Sequence, residues 1–90
     1  SNPSEAQLSY AERKELKRRE RRRQKDLAEV EARIETQEQE LGELETTMAD
    51  PALYQDADRW REVSAQHARL KEEVEELYRQ WEELQLAESA

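Results

Sequence analysis

The residues in this 90-residue chain best suited to chemistry form one cationic run: Arg13, Lys14, Lys17, Arg18, Arg19, Arg21, Arg22, Arg23 and Lys25. Glu15 and Glu20 are the only acidic residues inside it, so the run carries +7, while the rest of the chain has six basic and 21 acidic residues and carries −15. The charges fall at nearly every position around a helix, which makes a cationic rod interrupted by one apolar residue, Leu16. Such a rod suits a phosphate backbone, because each Lys or Arg that neutralises a phosphate releases counterions, and the planar, five-donor guanidinium matches phosphate best. No base-reading element accompanies it, so low sequence specificity is expected. A helix that lies on a membrane surface needs an apolar face, and this segment has none. The plainer reading is a solvated helix whose charges pair locally and keep the chain in solution.

Other constellations are weaker. His67 is the single histidine and falls on a heptad position, which reads as a polar residue of a helix seam rather than a ligand or an acid/base catalyst. The carboxylates Glu72, Glu73, Glu75, Glu76, Glu82 and Glu83 flank the same seam and read as a solvated acidic face, since an acid pair needs a walled pocket to shift its pKa values. Gly42 is the only glycine, so there is no phosphate-cradling loop, and with no Cys there is neither a disulfide nor a thiolate metal site. Trp60, Trp81, Tyr54 and Tyr78 read as packing residues at the two ends of the molecule rather than base-stacking platforms. No catalytic, cofactor-binding or metal-binding residue is expected.

The elements that must position the cationic run follow from composition and periodicity. At 42% charged and 34% hydrophobic residues the chain cannot enclose a large core, and the same composition would suit disorder. Periodicity decides for helix. Trp60, Val63, His67, Leu70, Val74, Leu77, Trp81 and Leu84 alternate steps of three and four, and Leu27, Val30, Ile34, Gln37, Leu41, Leu44 and Met48 do the same, with Gln37 the polar exception. Pro51 breaks the pattern between them, Asp50 can cap a short turn there, and Asp56 or Asp58 can cap the second helix. Ser9 and Glu12 fit a capping box that starts the first helix near residue 10. The expected fold is all-α: an antiparallel two-helix coiled-coil hairpin with helices over 10–48 and 59–86, an elbow over 49–58 and an N-terminal basic helical overhang. Residues 1–7 read as linker, with Ser1-Asn2 as a cloning remnant, and 87–90 as a tail. No stretch approaches the ~20 apolar residues of a membrane span and no secretory leader is present, so a soluble, cytoplasmic chain without membrane partners is expected.

Two registers fit the seams. One sets Leu27 by Leu84, Val30 by Trp81, Ile34 by Leu77, Leu41 by Leu70 and Met48 by Val63, in nearly all-apolar layers. The other matches the polar residues, Gln37 facing His67 and Arg23 lying against Trp81. In both, the second helix ends before it can cover residues upstream of about 20–27, and the start of the first projects alone. Like charges at i,i+4 (Lys14/Arg18, Lys17/Arg21, Arg18/Arg22) each destabilise an isolated helix by a few tenths of a kcal/mol, roughly, so the overhang is expected to fray until a polyanion arrives.

The opening Leu8-Ser9-Tyr10, the basic stretch, the Met48-Ala49-Asp50-Pro51-Ala52-Leu53-Tyr54 elbow and the closing Leu77-Tyr78-Arg79-Gln80-Trp81-Glu82-Glu83-Leu84 together resemble the C-terminal domain of ABC-F ATPases of the Uup type. The resemblance covers Leu8 to about Leu84, and its most specific element is Asp-Pro-x-x-Tyr followed by Trp-Glu-x-Leu. It implies a coiled coil appended after the second ATP-binding cassette and acting as a nucleic-acid-binding arm, with DNA as ligand in Uup-type proteins and ribosomal RNA in the wider family. ATP and Mg would belong to the parent cassettes, which are the other implied partners; the fragment itself needs no cofactor. Arg13 through Lys25 inherit the binding role, and the run looks longer and richer in arginine than in shorter Uup-type versions. The rival reading from another class is a protein-interaction or dimerisation coiled coil. A lone two-helix hairpin is marginal, and a weak homodimer would bury more surface.

Overall fold

The computed structural model describes residues 7–89, with side chains to residue 87. Helix α1 spans Tyr10–Met48, a short 3-10 turn spans Pro51–Gln55, and helix α2 spans Ala57–Ser89. The two long helices pack antiparallel into a rod 69 Å long and 20 by 15 Å across. The linker read at 1–7 lies, but for Gln7, outside the described residues. Residues 87–89, read as tail, continue α2, which therefore runs past the residue 86 suggested by the heptad spacing.

Local chemistry sets each boundary. The Ser9 side-chain oxygen accepts from the Glu12 N–H at 3.1 Å and starts α1. At its other end the Ala49 N–H donates to the Glu45 and Thr46 carbonyls at 3.0 and 3.2 Å. Asp50 then accepts from the Ala52 N–H at 3.0 Å across Pro51, whose fixed φ and missing donor suit the first position of a helical turn. Of the two aspartates that could cap α2, Asp56 does so, accepting from the Arg59 N–H at 3.0 Å. The reversal needs no left-handed residue: no described residue has a positive φ.

The core is a single line of side chains. Val30 and Ile34 of α1 are buried with Val63, Leu70, Val74 and Leu77 of α2, and Leu53 tucks under the elbow. Trp81 and Leu84 pack against the Val30, Ile34 and Leu77 cluster. That cluster, with His67 meeting Glu45 and Tyr78 meeting Glu38, places the helices in the apolar-layer register rather than the one that faces Gln37 with His67. The choice has a residual strain: the Gln37 Oε1 and Ser64 Oγ are buried without a hydrogen-bond partner.

Candidate nucleic-acid interface

The cationic run straddles the end of α2. Arg23 Nη1 donates to the Leu84 carbonyl at 3.2 Å, and with Leu84 in the layer of Leu27 and only five more residues of α2 following, α2 flanks α1 to about residue 22. Upstream of that point no described residue of α2 lies beside α1, and Tyr10 and Leu16 are exposed. Because α2 runs on to Ser89, the unflanked segment is shorter than a helix ending at 86 would leave, and Arg23 lies inside the hairpin.

Arg23 is the member of the predicted site that the structure assigns to the fold. Its side chain is 10% exposed and is held on both sides, by the Glu20 carboxylate at 2.7 Å and by the Leu84 carbonyl. A cation near the C-terminal end of a helix is also favoured by the helix dipole. The signal was in the sequence, because residue 23 continues the α1 seam four residues before Leu27 and seven before Val30.

The two acids inside the run have defined work. Glu15 grips Arg18 through two hydrogen bonds of 2.8 Å and also accepts from Arg19 Nε at 3.1 Å. These partners, Arg18 first and Arg19 next, lower its pKa to about 2. Glu20 accepts from Arg23 at 2.7 and 2.9 Å and from Gln24 at 3.0 Å, and its pKa is likewise lowered to about 2, with Arg23 the main cause. Both carboxylates face cations three or four residues further along, the orientation that supports a helix best. The overhang is helical from Tyr10.

These pairings divide the rod into faces. Arg18 and Arg19 are engaged by Glu15 and Arg23 by Glu20, whereas no ion pair among the described residues engages Arg13, Lys14, Lys17, Arg21, Arg22 or Lys25. Lys14, Lys17, Arg21 and Lys25 follow steps of three, four and four, which at 3.6 residues per turn confines them to an arc of about 80°, turned about 140° from the seam. A shallow groove on this face is lined by Tyr10, Arg13, Lys14, Lys17 and Arg21. The cationic rod of the sequence thus has a cationic stripe directed away from α2, bordered by the unengaged Arg13 and Arg22 and by Arg18 and Arg19, which Glu15 engages.

The remaining candidates are absorbed by packing. His67 is half-buried, with Nε2 at 3.2 Å from the Glu45 carboxylate. The Tyr54 and Trp60 rings pack tilted by 40° at a centroid distance of 5.0 Å, and the Tyr78 hydroxyl donates to Glu38 at 2.6 Å, which raises its pKa. The acidic residues Glu72, Glu73, Glu75, Glu76, Glu82 and Glu83 are all exposed, and no group of described residues could hold a metal ion. No helix among them is long and apolar enough to cross a membrane.

The described residues thus define an all-α domain, an antiparallel helical hairpin with a narrow core and a charged helical extension. The comparison with protein families agrees: residues 18–86 match the ABC transporter C-terminal domain, and the chain belongs to that family. Arg13, Lys14 and Lys17 lie upstream of the match, and the rest of the cationic run lies within it. No curated protein and no solved structure matches the chain.

Proposed function

We propose that this domain is the nucleic-acid-binding arm of a soluble ABC-F ATPase of the Uup type, working in the cytoplasm and catalysing nothing itself. One observation carries the reading: the run from Arg13 to Lys25, at +7 in a chain otherwise at −15, extends from the edge of the hairpin into the part of α1 that α2 leaves uncovered. The hairpin supplies reach and a rigid mount, and its acidic sides repel a polyanion from everywhere but the arm. DNA or ribosomal RNA is the ligand, held through phosphates, while ATP and Mg belong to the parent cassettes. The ABC transporter family membership supports the parent's chemistry at that coarser level.

Binding of the 90-residue chain to labelled double-stranded DNA, single-stranded DNA and structured RNA across a salt series tests the reading. Binding that falls steeply with salt, and is lost when Lys14, Lys17, Arg21 and Lys25 are changed to Gln, is expected. Absence of binding at low salt, together with a tight dimer in sedimentation, would instead identify a protein-interaction coiled coil.

A further inference from the structure

The cationic stripe ends in an aromatic ring. Tyr10 is 74% exposed and lines the same groove as Lys14, Lys17 and Arg21, one helical turn beyond Lys14. Its situation differs from that of the other tyrosines: Tyr54 has the Trp60 ring and Tyr78 has Glu38, whereas Tyr10 has no ring contact or hydrogen bond among the described residues. The spacing from Tyr10 through Lys14, Lys17 and Arg21 to Lys25 keeps the ring and four cations on one side of α1 over about 22 Å. No carboxylate lies in that arc: Glu15 borders it, lining a neighbouring groove with Lys14, Arg18 and Arg21, but is turned toward Arg18 and Arg19, and Glu20 is turned toward Arg23. Lone exposed aromatics are common and by themselves signify little. An aromatic in line with a carboxylate-free row of cations is the composition of a single-strand platform, in which the cations track phosphates and the ring stacks on a base.

A uniform duplex offers this ring nothing, because its base faces are already stacked on one another. We infer that the arm prefers a nucleic acid in which an unpaired nucleotide adjoins a run of phosphates, such as an overhang, gap or loop beside a duplex: Lys14, Lys17, Arg21 and Lys25 hold the backbone and Tyr10 stacks on the unpaired base. The inference rests on the nucleic-acid reading above and adds to it the feature of the ligand that is recognised. Cations alone would give affinity without preference; the ring makes the end of the stripe different from its middle.

The test compares a blunt duplex with the same duplex carrying a short single-stranded overhang that contains 2-aminopurine, in DNA and RNA versions. The intact chain is expected to bind the overhang substrate about tenfold more tightly and to quench the 2-aminopurine fluorescence on stacking. Tyr10→Ala should lose both the preference and the quenching while binding the blunt duplex as before, and Tyr10→Phe should keep both. Circular dichroism of each variant checks that α1 is intact, which is expected for so exposed a position. Equal affinity of the intact chain for the two substrates, or a preference that survives Tyr10→Ala, would overturn the inference and leave phosphate binding by the arm standing. Failure to bind either substrate at low salt would remove both.

Discussion

Helix α1 is a single unbroken helix made stable in two different ways. From Leu27 to Met48 its helicity rests on tertiary packing: an apolar stripe lies against α2, and Val30 and Ile34 are shut from solvent by Leu77, Trp81 and Leu84. From Tyr10 to about Glu20 no described residue of α2 packs against it, and its support among the described residues is local, a serine cap at the start followed by Glu15 and Glu20 bridging to cations one turn on. Arg23 joins the regimes, with two hydrogen bonds to Glu20 and one to the Leu84 carbonyl. The body of the hairpin is therefore held straight by burial, and the arm is a helix whose outer surface no described residue of α2 covers.

The contrast can be broken most directly at Leu77. This side chain is 3% exposed at the centre of the layer with Val30 and Ile34, so Leu77→Ala should destabilise the hairpin by about 2–5 kcal/mol, enough to unfold so thin a structure. Leu16→Ala in the arm, where the side chain is exposed, should change the denaturation midpoint by no more than about 0.5 kcal/mol. Urea unfolding followed by circular dichroism measures both. If Leu16 proved as costly as Leu77, the arm would be packed against something and the division would fail.

Within the body, the buried and unpartnered Gln37 Oε1 is a defect on the seam, between Ile34 and Leu41. Gln37→Leu should stabilise by about 1 kcal/mol, because it removes an unsatisfied acceptor and adds an apolar contact, and a rise in thermal midpoint would report it. Gly42→Ala should give a comparable or smaller gain, at most about 1 kcal/mol, from helix propensity alone, since a Cβ there meets no atom within 4 Å. A loss of stability at Gly42→Ala would mean that a second chain approaches that face.

The smallest effect, and the one that sharpens the comparison most, is the response of the arm to acid. The folded-state pKa values of Glu15 and Glu20 are lowered to about 2 from an ordinary 4.5. Their support is therefore fully present above about pH 4.5 and is lost as the pH falls toward 2. Amide-resolved NMR should show residues 10–22 losing helix over that range, more gently at high salt because the pairs are exposed and screened. A Glu15→Gln, Glu20→Gln variant should have a less helical arm at neutral pH and little change below it. Tyr78 runs in the opposite direction: its raised pKa means that the hydroxyl bond to Glu38 holds below about pH 10 and is lost as the pH rises through the folded-state value.

Much of this molecule was legible in its sequence because heptad spacing and caps are local codes. Every seam residue from Leu27 to Met48 and from Trp60 to Leu84 lies at least partly buried, the Ser9 cap starts α1, and Pro51 with Asp50 makes the turn. The sequence also determined that charge is polarised along the chain and that the basic run falls at one end of a helix longer than its partner. Other features depended on where side chains and helix ends meet across the hairpin. Register was settled only when Ile34, Leu77 and Trp81 were seen in one cluster, since a one-heptad slip preserves the pattern and changes only which layers coincide. The structure separated Arg23 from the other cations because α2 extends to Ser89 and brings the Leu84 carbonyl within its reach. It also turned a rod charged on all sides into a stripe, because Glu15 and Glu20 neutralise the arginines they can reach and leave Lys14, Lys17, Arg21 and Lys25 unpaired. The physical reason is the same in each case: periodicity fixes the direction in which a side chain leaves its own helix, but what it meets there depends on the length and position of the other.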